Sequence, residues 1–153
     1  YKNEELGNIE LINGEDKIDK YIYIENYPSN SEKINNHLLQ HKKELIERKI
    51  RNFNENNWFE WGAPRNIASI NANLGKDCIY IYNLTRKQNV SFVSKVNYFG
   101  GGLIMLKPKK MCNLNNIVSY INSNTFKNNF MFSGRFKIGH RQICNSRIPN
   151  NYL

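Results

Sequence analysis

Apolar residues fall into two kinds of pattern along this chain. Tyr21-Ile22-Tyr23-Ile24, Ile79-Tyr80-Ile81-Tyr82 and Leu103-Ile104-Met105-Leu106 are short continuous runs bounded by turn residues, which predicts strands. Residues 90–93 form a further strand candidate, and Tyr27-Pro28 stops the first run. Elsewhere the spacing is helical. Ile34, Leu38, Leu45, Ile46 and Ile50 fall on one face, which predicts a helix ending near Arg51. Ser29-x-x-Glu32 has capping-box spacing, with Ser31 as the alternative N-cap. Lys42, Lys43, Glu44, Glu47, Arg48, Lys49 and Arg51 coat much of the remaining surface. Leu114, Ile117, Val118 and Ile121 predict a second helix over 114–122, capped by Asn113, with 125–132 continuing helical.

Between these elements lie Asn13-Gly14-Glu15-Asp16 and Leu74-Gly75-Lys76-Asp77, both turn signals. Residues 1–20 are polar and mixed, and 67–74 read as either a short helix or a strand. The stretch 133–139 is a basic, glycine-bounded strand or loop, and 143–149 reads as irregular. The expected architecture is α+β: a mixed or antiparallel sheet core with an N-terminal helix and one or two further helices packed on it. At 153 residues the chain is expected to form a single domain over 1–153, organised around residues 78–110.

Charge changes the picture more than composition does. Residues 1–60 hold nine Lys/Arg and twelve Asp/Glu, whereas residues 61–153 hold thirteen Lys/Arg and one acid, Asp77. Solubility alone does not require acids to vanish from the later part, so the asymmetry points to a polyanion partner. The 27 asparagines are spread without a homopolymer run and read as coding bias, not as a prion-like tract. Three cysteines, Cys78, Cys112 and Cys144, have no metal-knuckle spacing and an odd count, which fits free thiols in a cytoplasmic protein. No stretch approaches the roughly 18 apolar residues of a membrane span, so no membrane partner is expected. The sequence does not begin with Met and is expected to be a fragment of a longer chain.

Most candidate chemistry dissolves on inspection. His37 and His41 are four apart, as are His140 and Cys144, but neither pair has a companion ligand in sequence or an HExxH pattern, so no metal site is expected. Glu47-Arg48-Lys49 matches half of a nuclease metal motif but falls on a predicted helix, not a strand. Gly100, Gly101 and Gly102 precede an apolar run where a cofactor loop should open a helix, so a turn feeding a strand is the better account. With one acid after Glu60, paired-carboxylate catalysis is excluded there, and no Ser/His/Asp set presents itself. The chain is therefore expected to carry no catalytic residues and no cofactor of its own.

What remains is recognition. Arg65, Asn66 and Lys76 sit at predicted turns, as do Arg86 and Lys87. Lys107, Lys109 and Lys110 come after a strand, and Arg135, Lys137 and Arg141 lie in the basic stretch near the end. Lysines at such positions hold phosphates, while Arg and Asn read base edges. Of Trp58 and Trp61, at least one is expected in the core, and base stacking is the functional alternative for the other.

These residues also carry a resemblance. The order is a helix with Leu45 and Arg48, Trp58-Phe59-Glu60-Trp61-Gly62, Asn83-Leu84-Thr85-Arg86, Tyr98-Phe99-Gly100-Gly101-Gly102-Leu103, Leu106-Lys107-Pro108, Ile121-Asn122-Ser123, then Phe136 to Ile143 and Ile148-Pro149. It resembles the C-terminal target-recognition domain of bacterial restriction-modification adenine-N6 DNA methyltransferases, the TaqI-like and related type II group. The resemblance implies that the parent protein is a methyltransferase using S-adenosylmethionine. Its catalytic domain would lie upstream, and this chain would grip double-stranded DNA and read the site. Three alternatives stay open: the specificity part of a fused restriction endonuclease-methyltransferase, an RNA- or single-strand-binding module, and an interaction domain for another acidic partner.

Overall fold

The computed structural model describes residues 1–62 and 64–153; Ala63, inside the Trp-rich turn, lies outside them. The chain is α+β, with short antiparallel sheets, as expected. It divides into two compact units: residues 1–11 with 18–67, and residues 12–17 with 68–153. The division runs through a hairpin of β1 (Ile9–Gly14) and β2 (Lys17–Tyr21). Glu15-Asp16, the second half of the turn predicted over 13–16, joins these strands, and Asn13 and Gly14 belong to β1. The strands themselves escape the pattern because their apolar positions are interleaved with Glu10, Lys17, Asp19 and Lys20.

In the first unit, the single helix expected over 32–51 is two. These are α1 (Glu32–Gln40) and α2 (Lys42–Ile46), broken at His41, whose backbone N–H turns back to Leu38 O at 3.0 Å. Ser31 caps α1 by accepting from Ile34 N, whereas Ser29 is tied to the Asn35 amide oxygen at 2.7 Å. The break re-aims the chain downstream of it, so Ile50, expected on the core face, is exposed. Ile22, Ile24, Ile34, Leu38, Leu45 and Trp58 form the core of this unit. Arg48 does not coat a surface. Its Nε donates to Leu45 O (2.7 Å), and one terminal nitrogen donates to Trp58 O (2.7 Å) and Glu60 O (3.0 Å). The guanidinium also lies 3.8 Å over the Phe53 ring. Partial burial, with Arg51 nearby, lowers its pKa from the usual arginine value. Arg48 thus closes the α2 C-terminus and the Trp-rich turn together.

In the second unit, residues 67–74 resolve as a helix, α3 (Ile67–Asn73). The central strand is β3 (Asp77–Tyr82), flanked by β5 (Ser91–Lys95) and β6 (Leu103–Leu106). Both neighbours are antiparallel, with Ile81 opposite Ser91 on one side and Ile104 on the other. Each face of β3 has its own core. Ile79 and Ile81 meet Ile104, Ile117, Ile121, Phe126 and Phe136. Cys78, Tyr80 and Tyr82 meet Ile12, Ile70, Phe92, Val96 and Leu103. Burial on both faces is why β3 reads as a continuous apolar run instead of an alternating one.

Helix α4 (Leu114–Ile121), capped by Asn113 as expected, buries Ile117 and Ile121. It ends at Asn122, whose amide oxygen accepts from Val90 N (2.8 Å), Ser91 N (2.9 Å) and Ser91 Oγ (3.0 Å). The amide nitrogen donates to Ser91 O, so one side chain pins the helix end to β5. The continued helix expected over 125–132 is shorter. After α5 (Asn124–Lys127) and a 3₁₀ turn, the chain enters β7 (Met131–Phe132). β7, β8 (Arg135–Lys137) and β4 (Leu84–Thr85) form a small sheet with β8 in the middle. The β7–β8 turn is Ser133-Gly134, both at positive φ (51° and 74°), the backbone of a two-residue hairpin. Beyond it, α6 (His140–Asn145) replaces the irregular start expected for the tail.

Candidate nucleic-acid interface

All eleven candidate residues are exposed, but they do not form one group. Arg65 and Asn66 belong to the first unit, where Asn66 adopts a positive φ of 58°. The other nine belong to the second unit, and most sort to opposite ends of β3, which spans about 17 Å at the usual strand rise.

At the end where β3 starts, the Lys107 Nζ donates to Asn73 Oδ1 at 2.8 Å and the Lys76 Nζ to the same oxygen at 3.2 Å. Lys95 lies opposite Asp77 across the β3–β5 register and forms an ion pair with it, so the acid that interrupts the basic stretch is neutralised in place. Lys107, Lys109 and Lys110 line a mostly apolar groove of about 430 Å³ with Pro108 and Leu114. These lysines leave the sheet along one short loop.

At the other end, chain segments some fifty residues apart in sequence come together. β4 pairs antiparallel with β8, Leu84 opposite Lys137 and Thr85 opposite Phe136. Arg86 and Lys87 directly follow β4, and Arg135 and Lys137 flank Phe136 on β8. Lys87 is steadied by donating to the Tyr82 hydroxyl at 3.3 Å, with its ammonium 4.9 Å from the Tyr82 ring centroid. Lys127, which no local pattern singles out, donates to Gln88 O at 2.7 Å and braces the loop after Lys87. Pairing also sorts the side chains of this small sheet. Arg135 and Lys137 share a face with Leu84 and Phe132, while Phe136 points the other way into the core. A signal for Phe132 exists in the sequence, an aromatic beside a Ser-Gly turn and an arginine, but the helical spacing over 125–132 masks it. Arg141 lies on α6, exposed.

The remaining candidates resolve as structure. Trp58 is buried, with the Tyr27 ring edge-on to it at 4.8 Å. Trp61 donates its indole N–H to Ile22 O at 2.7 Å and packs edge-on to Tyr23, so it too is held by its own unit. His37 and His41 lie 5.0 Å apart between ring centroids, and among the described residues no group of three or more metal-ligating side chains exists. The triple glycine does not have the setting of an S-adenosylmethionine loop. Gly100, Gly101 and Gly102 turn into β6 instead of opening a helix, and a Cβ on Gly100 would stand 1.8 Å from Asn13 Oδ1. Among the described residues, no helix is long and apolar enough to cross a membrane.

No protein-family model and no solved structure matches the chain. Among curated proteins, it is similar to the type II methyltransferase M.MjaIV of Methanocaldococcus jannaschii. The two are 27% identical over 151 residues, covering 94% of this chain and 49% of that protein. The chain is related to a type II methyltransferase. It spans about half the length of this curated relative. Almost the whole chain takes part in the match, so both units are included in the relationship.

Proposed function

We propose that this chain is the target-recognition part of a site-specific adenine-N6 DNA methyltransferase of a restriction-modification system. It grips duplex DNA and reads the site. Methyl transfer from S-adenosylmethionine belongs to a separate catalytic part of the same parent protein. The observation that carries the reading is the cationic end of β3. Pairing of β4 with β8 brings the segment that leads into Arg86 and Lys87 to the strand that carries Arg135 and Lys137, in a unit with thirteen Lys/Arg against three Asp/Glu. Relationship to a type II methyltransferase over about half its length supports the same division of labour.

The roles follow from side-chain chemistry. Lys76, Lys107, Lys109 and Lys110 are point charges suited to phosphates and set register along the duplex. Arg86 and Arg135 carry planar donor forks that match the O6 and N7 of guanine in the major groove. Lys87, Lys137 and Arg141 are assigned to flanking phosphates, and Arg65 and Asn66 to a separate contact from the first unit.

Titration of the 153-residue chain against duplex and single-stranded DNA tests this. With six or more phosphate contacts, duplex affinity falls by about 10³-fold or more between roughly 50 and 200 mM salt, and duplex is preferred over single strand. Equal affinity for both forms, or a flat salt response, would remove the reading.

A further inference from the structure

Phe132 is 67% exposed at the base of the tight Ser133-Gly134 turn, and Leu84, on the same face, is 48% exposed. Among the described residues Phe132 packs on no other aromatic ring, although Phe126, Phe130 and Phe136 pack on one another just behind it. An uncovered aromatic held on a short hairpin, with two cations on the same face, is unlike the scattered apolar residues of an ordinary surface.

Next to it opens a cleft of about 550 Å³, a volume in the range of small-molecule sites. Three amide side chains line it: Asn83, Asn129 and Gln142. Each is anchored at one end only. The Asn83 Nδ2 donates to Gly101 O (2.8 Å), the Asn129 Nδ2 to Thr125 O (2.9 Å), and the Gln142 Oε1 accepts from Gly139 N (2.9 Å). Their other ends, Asn83 Oδ1, Asn129 Oδ1 and Gln142 Nε2, have no partner among the described residues. Two acceptors and one donor are thus oriented by the backbone and left free beside an exposed ring. A flat heteroaromatic with mixed donors and acceptors on its edge satisfies both features at once, and Arg135 and Lys137 favour one attached to phosphate.

We propose that this cleft seats one unpaired nucleobase of bound DNA, with Phe132 stacking on the base and the Asn83, Asn129 and Gln142 amides meeting its edge. The proposal rests on the DNA-recognition function proposed for the chain. It assigns base stacking to Phe132, since Trp58 and Trp61 are held within the first unit.

The test uses the 153-residue chain and two labelled duplexes, one fully paired and one identical except for a single bulged 2-aminopurine. The bulged duplex is expected to bind about 5- to 150-fold tighter, the range for stacking one base on an aromatic side chain. Its 2-aminopurine emission is expected to drop on binding. Phe132→Ala should bring the ratio of the two affinities to one, and Phe132→Trp should restore it. Folding of each variant is checked by its thermal melt. A wild-type ratio of one, or a ratio that survives Phe132→Ala, overturns the cleft assignment and leaves salt-dependent duplex binding standing. Failure to bind either duplex at low salt overturns the recognition reading itself, and the cleft assignment with it.

Discussion

The first unit holds nine Lys/Arg against ten Asp/Glu, and four of those cations are bonded within it. Lys2 meets Asp19, Lys42 meets Glu55, Arg51 meets Glu60, and Arg48 ties three backbone carbonyls. The second unit holds thirteen Lys/Arg against three Asp/Glu, and among the described residues it forms one ion pair, Lys95 with Asp77. Its other cations either donate to neutral oxygens, as Lys76, Lys87, Lys107 and Lys127 do, or face solvent. The same residue types therefore do different work. Where carboxylates and carbonyls surround an arginine, it is consumed by the fold. Where the fold gathers more cations than acids, with the Glu15-Asp16 turn near Lys87 through the shared Tyr82 hydroxyl, part of the mutual repulsion is left in place and an external anion relieves it.

Arg48→Ala gives the largest effect expected of this contrast. It removes charge-assisted bonds to Leu45 O, Trp58 O and Glu60 O and the contact with Phe53, so a loss of about 2–4 kcal/mol is expected. Both tryptophans lie in the first unit, so urea unfolding followed by tryptophan fluorescence reads it there. Arg48→Lys should recover little, because an ammonium cannot span the same carbonyls. Near-native stability in Arg48→Ala would blur the contrast between the units.

Arg86→Ala is the counterpart in the second unit. Stability should change by less than about 0.5 kcal/mol, since the side chain is exposed and makes no bond among the described residues. On the proposed function, specific DNA binding weakens by about 1–3 kcal/mol if Arg86 reads a base. Unchanged affinity and unchanged specificity would take Arg86 off the interface.

The smallest effect is expected at alkaline pH. Burial, above all, raises the pKa of Tyr80 above the ordinary tyrosine value, and its hydroxyl donates to Lys95 O at 3.0 Å. The folded chain thus keeps this proton after the unfolded chain has lost it. The stabilisation is fully present below the unfolded pKa near 10 and is lost as pH rises above it. Urea midpoints followed by backbone circular dichroism should be flat through neutral pH and fall above pH 10, more gently in Tyr80→Phe than in wild type. An equal fall in both would show that another group governs it.

Local pattern was enough for elements whose signal is self-contained. The run Ile79-Tyr80-Ile81-Tyr82, the 3.6-residue spacing of Ile117 and Ile121, and Asn113 before them each appear in the fold as the pattern predicts. The turn predicted over 13–16 appears at its second half, Glu15-Asp16, while Asn13 and Gly14 extend β1. The long helix over 32–51 failed at His41, where no proline or glycine marks the break. The strand at 131–132 was missed because Phe126 and Phe130 lie at helical spacing and Met131-Phe132 reads as their continuation, and only pairing with β8 decides otherwise.

The candidate interface divides the same way. Sequence alone determined that the later part of the chain is cationic, free of paired acids and poor in catalytic groups, because charge and residue type survive any fold. Only the tertiary structure decided which cations are available. It folded Arg48 inward, matched Asp77 with Lys95, and sorted most of the candidate cations of the second unit to opposite ends of β3. It also withdrew the tryptophans from consideration and exposed Phe132 in their place. The physical reason is that a side chain's partners are set by strand register and packing, which join residues such as Thr85 and Phe136 across some fifty positions of sequence, beyond the reach of any local pattern.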